Sequence, residues 1–392
     1  MCTANLLYRL ISFVLSFELL VTPFDGFIQK LYERFFESGQ ASSQVIQADI
    51  VYEAVTGTVI SSENEHEVYP AGHFAKLMTL LIVQEDIESG KLSYDTSVTV
   101  SEYANSMQDP QIWLDKGEKI SVEELVKAIT IGNANDACAA LAETCEKTET
   151  AFVERMNAKA EALGMEDTVY ADCTGVSEET ITSAYDTAVL CAELSKHDEL
   201  FGYMTTWIDN VRGGKTQLVN LNRLIRSYKG IIGIKACYSQ GAGNCLAAAA
   251  QRDGMTVVAV MIGSPDEDSR FSWARDAMNT AFAAHEVYVP EMKDGILDDV
   301  AVTLGSKPFA AVDYSNKSAV LIPKGSSSKI KVAAERINSV PAPVKEGDII
   351  GSAVFTLNGE EIFTTDIFVA ESVNKLTAIE AFKRLLLELL NL

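Results

Sequence analysis

The sequence predicts an α/β (α+β) fold in which helices and antiparallel strands share one large region and a smaller β-rich region follows. Between residues 48 and 286, long helical patterns stand beside three consecutive strand patterns between residues 231 and 262. From residue 287 to 373, short strand-like runs are separated by Gly, Pro, Ser and Asn, which is typical of a small β-sandwich. Residues 374–392 have the apolar period of an amphipathic helix. These patterns predict four segments: 1–47, 48–286, 287–373 and 374–392.

The large region opens with a hairpin and a buried helix. Residues 48–60 alternate apolar and polar side chains around Thr56-Gly57, which indicates two strands joined by a turn. After Pro70, the run Lys76–Val83 is apolar almost all round, so we expect a helix that is buried on every side. A capping box at Ser121–Glu124 predicts the start of the next helix. Further helices are predicted at residues 134–146, 148–163 and 271–284.

Composition and charge exclude some classes of function. The 392 residues include 32 Lys and Arg against 55 Asp and Glu, which gives a net charge of −23. Nucleic-acid binding requires clustered positive charge, so we expect no nucleic-acid partner. The seven cysteines form no Cys-x-x-Cys pair, and the four histidines show no zinc-binding spacing in the sequence. We therefore expect buried cysteines, no metal and no cofactor.

The N-terminal segment is compatible with three structures. Residues Leu10–Val21 are apolar apart from serine and Glu18, with Arg9 before them. This pattern fits a secretory signal, a short membrane anchor or a helix of a cytosolic protein, and we favour export. The segment is short for a spanning helix, which needs about 20 apolar residues. Residues Phe24–Gly39 are predicted to form an amphipathic linker helix.

The C-terminal segment predicts a surface-binding helix. Five large apolar residues share one side of the helix, at Leu376, Ile379, Phe382, Leu386 and Leu389. Acidic and basic residues lie on the other side at i, i+4 spacing. Such a helix lies on a bilayer surface or packs against a partner protein, and we favour the membrane.

Three short segments contain the residues that we expect to form the functional site of this chain. They are Tyr69-Pro-Ala-Gly-His-Phe-Ala-Lys-Leu-Met-Thr79, Ile131-Gly-Asn-Ala-Asn-Asp-Ala137 and Ile234-Lys-Ala-Cys-Tyr-Ser-Gln-Gly-Ala-Gly-Asn-Cys245. Trp113–Ala128 leads into the second segment, and Ser183-Ala-Tyr-Asp186 begins a later helix pattern.

In order and flanking sequence, these segments resemble those of the serine-type D-alanyl-D-alanine carboxypeptidases, the low-molecular-weight penicillin-binding proteins. This family is related to class A β-lactamases, which use S-x-x-K, S-x-N and K-T-G boxes. The resemblance covers residues 48–373. It implies a transpeptidase-like domain with an antiparallel sheet between helices, followed by a β-sandwich. It also implies an extracytoplasmic, membrane-associated setting and a stem peptide of peptidoglycan as substrate.

The resemblance assigns a role to each box. The first-box serine attacks the peptide bond between two D-alanines, and the lysine one helical turn later takes its proton. The serine of the second box relays protons, and its asparagine binds the substrate amide. The strand of the third box pairs with the substrate backbone and binds its terminal carboxylate.

This chain departs from that pattern at each box. Lys76 matches the first lysine, but the serine position is His73 when counted back from Lys76 and Gly72 when counted from Pro70. In the second box Asn133 replaces serine, whereas Asn135 matches the family asparagine. The third box keeps Lys235 but has Ala236 and Cys237 in place of Thr and Gly, and we expect the Cys237 side chain to crowd the strand edge.

These departures give three hypotheses. The first is a non-catalytic homologue that binds a stem peptide, or a protein of cell-wall assembly, because neither serine position has a hydroxyl. The second is an active carboxypeptidase that trims the terminal D-alanine with altered residues, His73 or Cys237 being the candidate nucleophiles. The third is a membrane-surface adaptor that acts through the β-rich region and the C-terminal helix. Whether the chain is an enzyme stays open at this stage.

Each candidate site residue also has an ordinary structural interpretation. Lys76 fits a buried, paired lysine, and Asn135 fits a side chain that braces neighbouring backbone. Lys235 fits a salt bridge as well as a ligand contact, and His73 fits a polar side chain that fills a gap.

Overall fold

The computed structural model describes residues 48–389 except 240, 265 and 294. The predictions for Leu10–Val21 and Phe24–Gly39 concern residues outside this part of the chain. The strands up to residue 264 are β1 Ala48–Glu53, β2 Thr58–Glu63, β3 Tyr69–Pro70, β4 Ser97–Thr99, β5 Lys119–Ser121, β6 Ile181–Thr182, β7 Ile208–Val211, β8 Thr216–Val219, β9 Ile231–Ser239, β10 Gly243–Arg252 and β11 Met255–Ser264. The helices up to residue 284 are α1 Ala75–Glu88, α2 Glu102–Asn105, α3 Val122–Gly132, α4 Asn135–Glu146, α5 Glu149–Ala162, α6 Ala184–Leu194, α7 Asp198–Met204 and α8 Glu267–Ala284.

A five-stranded antiparallel sheet forms the centre of this part of the chain, with strand order β2-β1-β11-β10-β9. The predicted hairpin is present as β1 and β2, and the three predicted consecutive strands are β9, β10 and β11. Every residue of β11 is buried, because α8 packs on one face of the sheet and α6 on the other. This layered arrangement leaves β9 as an edge strand.

Helix α1 is the buried core of the helical part. All its residues from Ala75 to Gln84 are buried, as the apolar run in the sequence predicts. Helices α3, α4, α5 and α6 pack around it. A short 3₁₀ turn, Gly72–Phe74, precedes α1 and packs against β9. The N-terminal end of α1 therefore lies beside the sheet edge.

Side-chain caps fix the helix starts. Ser121 accepts a hydrogen bond from the backbone N–H of Glu124, as the predicted capping box requires. Ser183 caps α6 through the backbone N–H of Asp186. The prediction that the closing helix begins at Phe271 was wrong, because Asp266 accepts bonds from the N–H groups of residues 268 and 269. Helix α8 therefore begins one turn earlier, at Glu267.

A second group of sheets follows α8 without a linker. Its strands are β12 His285–Tyr288, β13 Val300–Thr303, β14 Phe309–Ala310, β15 Val312–Tyr314, β16 Val320–Pro323, β17 Lys331–Arg336, β18 Ser339–Pro341, β19 Ile349–Leu357 and β20 Glu360–Val369. They form a four-stranded sheet, β15-β20-β19-β17, a three-stranded sheet, β14-β13-β18, and the pair β12-β16. Buried apolar residues, including Phe355 and Ile367, fill the space between them.

The last described element is helix α9, Ala378–Leu389. It begins two residues after the predicted Leu376 because the Thr377 hydroxyl accepts a bond from the Glu380 N–H. Ile379, Phe382 and Leu386 are 72%, 64% and 47% exposed. Within the described part of the chain, we find no helix with both the length and the apolar character needed to cross a bilayer.

Candidate active-site cleft

Three elements bring the predicted site residues together at the end of the sheet next to α1. Lys76 lies in the first turn of α1, and His73 lies in the 3₁₀ turn before it. Asn133 and Asn135 lie at the junction of α3 and α4. Lys235 lies on the edge strand β9. Segments that are far apart in the sequence thus form one cluster.

Lys76 is completely buried at the centre of this cluster. Its Nζ donates a hydrogen bond to the main-chain oxygen of Thr174 at 2.7 Å. Burial lowers the pKa of Lys76, and the neighbouring Cys138, Cys173 and Asp172 partly oppose this effect. The Lys76 amine therefore donates its hydrogen bond to a backbone carbonyl. A carbonyl has no proton that the amine could take up.

Asn133 and Lys235 form a direct pair. The Lys235 Nζ donates to the Asn133 Oδ1 at 2.5 Å and to the main-chain oxygen of Ile129 at 3.0 Å. Asn133 ends α3 in the left-handed conformation, with φ 59°, which asparagine adopts more readily than most residues. Burial, and then the charge of Lys76, lower the pKa of Lys235 to about 7.

Asn135 is held firmly through one end of its amide. Its Nδ2 donates to the main-chain oxygens of Gln108 at 2.9 Å and Asp109 at 3.2 Å. Its Oδ1 is buried and has no hydrogen-bond partner among the described residues. An unpaired buried carbonyl costs free energy, so this oxygen is available to a donor that enters the site.

His73 lies against both lysines. Burial, followed by the charges of Lys76 and Lys235, lowers the pKa of His73 to about 2, so the imidazole is neutral at neutral pH. Its Nδ1 is buried and has no hydrogen-bond partner among the described residues. The side chain that approaches Lys76 from the preceding turn is thus His73. Gly72 instead takes a positive φ, 51°.

A cleft of about 200 Å³ opens above His73. It is lined by Pro70, Gly72, His73, Gly175, Val176, Ser177, Glu178, Tyr238 and Gly241. Gly175 passes so close to the first turn that an added Cβ would lie 1.6 Å from the Gly72 oxygen. Lys76 and Lys235 are 0% and 2% exposed, so they lie below the cleft surface. The volume is below the roughly 300–1,000 Å³ of typical small-molecule sites.

Comparisons with known proteins place this geometry in a family. Residues 37–266 match the family model described as D-alanyl-D-alanine carboxypeptidase, and residues 291–375 match the penicillin-binding protein 5 C-terminal domain. The chain belongs to the D-alanyl-D-alanine carboxypeptidase family. This is a family of peptidoglycan metabolism, and the resemblance seen in the three boxes is confirmed.

Individual relatives agree with this assignment. The chain is 31% identical to D-alanyl-D-alanine carboxypeptidase DacF of Bacillus subtilis over 356 residues, which is 89% of this chain and 92% of that protein. It is 27% identical to DacC of Escherichia coli, over 86% of each chain. The structure of penicillin-binding protein 5 from Haemophilus influenzae superposes with a TM-score of 0.76 at 24% identity, covering 86% of this chain and all of that one. The predicted fold class is thereby confirmed.

The third box of this family member has a different geometry from the one we expected. We expected Cys237 to crowd the strand edge, but its side chain is 1% exposed and lies opposite Cys245 on β10. The exposed residue at the cleft is the next one, Tyr238, at 61%. Ala236 belongs to the apolar cluster under α8. Cys237 is buried whereas Tyr238 is exposed because neighbouring side chains on a strand point to opposite faces.

The sequence did not identify the loop that closes the site of this carboxypeptidase homologue. The Asp172 carboxylate accepts hydrogen bonds from the Thr180 hydroxyl at 2.6 Å, the Thr174 hydroxyl at 2.7 Å and the Gly175 N–H at 3.0 Å. These bonds hold the Thr174 carbonyl over Lys76. The sequence feature that could have identified this loop is the run Asp172-Cys-Thr-Gly175, in which an Asp precedes a glycine that tolerates positive φ.

Proposed function

We propose that this protein is a non-catalytic member of the D-alanyl-D-alanine carboxypeptidase family that binds peptidoglycan stem peptides in the cleft above His73. The environment of Lys76 is the observation that supports this proposal most strongly. Its amine is bonded to the Thr174 carbonyl, and the residue one turn earlier is an imidazole with no hydroxyl. A carbonyl cannot serve as a nucleophile.

The size of the chemical loss supports the same proposal. Removal of the nucleophile of a serine hydrolase lowers turnover by about 10⁶, which corresponds to about 8 kcal/mol of barrier. Further losses in the same unit add little. We therefore propose that His73 and Asn133 stand at the two serine positions and that Lys76 no longer works as a base.

Binding is supported by one residue of the second box and by the edge strand of the sheet. The Asn135 Oδ1 is buried and unpartnered among the described residues, so it can accept a hydrogen bond from a substrate amide. Strand β9 is at the edge of the sheet, where an extended peptide can add its backbone. In this proposal Asn135 and the edge of β9 bind the peptide, while Lys235, whose pKa is about 7, contributes positive charge from below when it is protonated.

The second candidate function is an active carboxypeptidase with His73 as nucleophile. It is favoured by one observation, the lowered pKa of His73, because a neutral imidazole is nucleophilic. Against it, the Nδ1 of His73 is buried, and the Lys76 amine that would take up a proton is bound to Thr174.

Two assays on one preparation distinguish these functions. We expect saturable binding of a stem pentapeptide by calorimetry, with no release of D-alanine in an enzyme-coupled assay. Asn135→Ala and Tyr238→Ala should each weaken binding at least about tenfold, whereas the surface variant Asn316→Ala should not. Tyr238→Ala is included because the exposed Tyr238 can change without disturbing the buried site. Steady D-alanine release that His73→Ala abolishes would establish the second function.

Restoration of the family residues tests the reason for inactivity. The variant His73→Ser, Asn133→Ser, Ala236→Thr and Cys237→Gly should recover some acylation by fluorescent penicillin. Because Ala236 lies under α8, we expect the version without Ala236→Thr to fold better. If both versions fold and stay unlabelled, the lost side chains are not the reason for inactivity.

The setting of the protein is part of this proposal. By analogy with its family, we propose an extracytoplasmic location, with α9 on the membrane surface and cell-wall assembly proteins as further partners. We also propose a division between residues 286 and 287, which lies within β12, the first strand of the β-rich region after α8. A membrane adaptor that uses only this region and α9 would bind vesicles without needing the cleft.

A further inference from the structure

We propose that Glu85, Glu193 and His197 form a binding site for a divalent transition-metal ion, with zinc as the first probe. Each of these residues offers one ligand atom, and the three atoms lie within 4.8 Å of one another. Glu85 lies near the C-terminal end of α1, Glu193 near that of α6, and His197 just before α7. This site goes beyond the proposed function and does not depend on it.

The orientation of His197 is the central observation. Its Nδ1 lies 2.7 Å from the Glu88 carboxylate, which fixes the ring and favours the tautomer with the proton on Nδ1. The Nε2 then has a free lone pair. This atom is buried and has no hydrogen-bond partner among the described residues, and one ring nitrogen of His197 lies within 4.8 Å of the ligand atoms of both glutamates. A histidine held by a carboxylate in this way is typical of metal ligands.

The two helix ends provide the reason for a cation here. The C-terminal end of a helix carries partial negative charge, which basic residues usually offset. Neither α1 nor α6 has a basic residue in its last turn. Both have carboxylates there instead, Glu85 and Glu88 on α1 and Glu193 on α6. A bound metal ion would neutralise this concentration of negative charge.

Two lysines provide part of the compensation. Lys159 pairs with Glu85, and Lys196 pairs with Glu193 at 2.6 Å. Each contacts one oxygen of its carboxylate, which leaves the other oxygen for a metal ion. Neither lysine is a hydrogen-bond partner of the His197 Nε2. This nitrogen therefore has no competing hydrogen bond among the described residues.

The distances suit zinc after a small movement. Zinc bonds nitrogen and oxygen at about 2.0–2.2 Å, so tetrahedral ligand atoms lie about 3.4 Å apart. The Glu85 and Glu193 side chains are 30% and 21% exposed, so they can rotate until their oxygens reach the spacing that zinc requires. One nitrogen and two oxygens leave the fourth position for water. From Lys76 to Glu85, nine residues of helix rise about 13.5 Å, so the ion would brace α1, α6 and α7 rather than react in the cleft.

Metal titration of the full chain tests this site. After removal of metal, zinc should compete from a chromophoric chelator with one equivalent per chain. We expect His197→Gln and Glu193→Gln to weaken binding at least about tenfold, and Glu88→Gln to weaken it through the orientation of His197. The matched control is His66→Gln, because His66 also pairs with a carboxylate, Asp167, at 2.7 Å but lies 53% exposed and outside the cluster.

Two further measurements distinguish a specific site from misfolding of the variant and from zinc bound by cysteines. Zinc should raise the melting temperature of the wild type but not that of His197→Gln. A native circular dichroism spectrum of His197→Gln would show that misfolding does not cause this difference. Cobalt should give weak visible bands without the strong near-ultraviolet absorption of thiolate ligands. No zinc binding below millimolar concentration, equal binding by His197→Gln, or a thiolate cobalt spectrum would each overturn the proposal.

Discussion

At the scale of single residues, two buried lysines dominate the electrostatics of the cleft. Lys76 and Lys235 are both close to fully buried, and each lowers the pKa of His73. They are held by oxygens that carry no charge, namely the carbonyls of Thr174 and Ile129 and the amide of Asn133. Neutral acceptors only partly replace water around a buried ammonium. The site therefore stores an unfavourable electrostatic free energy that a bound anion would relieve.

The first prediction concerns the pH dependence of stability. The pKa of Lys235 is about 7 in the folded chain and about 10.4 in the unfolded chain. Between these values the unfolded chain holds a proton that the folded chain lacks, so stability rises with pH by up to about 1.4 kcal/mol per unit. We expect Lys235→Met to reduce this slope in urea unfolding between about pH 7 and pH 10. The exposed Lys331→Met should retain it, and an unchanged slope in Lys235→Met would contradict the assignment.

The second prediction concerns Asn133. Asn133→Gly keeps a residue suited to positive φ but removes the oxygen bonded to Lys235. We expect a loss of about 1–3 kcal/mol in the free energy of unfolding, because a buried donor loses its partner. Asn358→Gly is the matched control, since Asn358 has φ 54° but is exposed, and should change stability by less than about 0.5 kcal/mol. Equal effects of the two variants would refute a special role for the Asn133 side chain.

The sequence predicted which residues gather at the cleft but not how they are bonded. Lys76, Asn133, Asn135 and Lys235 could be found because their spacing within short motifs is local information. The acceptor for Lys76 could not, because Thr174 is 98 residues away in the sequence. The burial of Cys237 also depends on strand β10, which only the folded sheet supplies.

At the scale of elements, α9 is the feature that most needs a partner. Ile379, Phe382 and Leu386 are exposed on a helix whose Arg384 donates hydrogen bonds to the main-chain oxygens of Gly305 and Ser306. An apolar face of this kind binds at the boundary between lipid headgroups and acyl chains. The net charge of −23 opposes anionic lipid.

The third prediction tests this helix. The variant Ile379→Ser, Phe382→Ser and Leu386→Ser should lose at least about tenfold of its affinity for zwitterionic vesicles in sedimentation, because the apolar contact is removed. Ile337→Ser is the control, since Ile337 is 53% exposed outside the helix. Unchanged sedimentation of the triple variant would show that α9 is not the membrane contact.

Helix boundaries show what local signals can and cannot predict. The capping box at Ser121 gave the correct start for α3, because a cap is read from a few neighbouring residues, and the family motif at Ser183 gave the start of α6. The start of α8 was missed because the apolar pattern begins only at Phe271, one turn after the Asp266 cap. The ligand set of the proposed metal site could not be read from the sequence, because Glu85 and Glu193 are brought together only by the packing of α1 against α6.

At the scale of the whole molecule, the fold and the reaction are separable. The chain has the fold of penicillin-binding protein 5 and belongs to the D-alanyl-D-alanine carboxypeptidase family, yet residues differ in all three boxes. A fold depends on many buried contacts, whereas nucleophilic catalysis depends on a single atom. The fold class could thus be predicted from the sequence, because the residues around the three boxes match the pattern of the family.

Intact-protein mass spectrometry after incubation with excess benzylpenicillin tests the proposed loss of catalysis most directly. Penicillin-binding protein 5 of Haemophilus influenzae serves as the penicillin-binding reference. We predict that the unmodified chain keeps its mass, because His73, the residue one turn before Lys76, has no hydroxyl to form an ester. A stable gain of one penicillin on the unmodified chain would contradict the account.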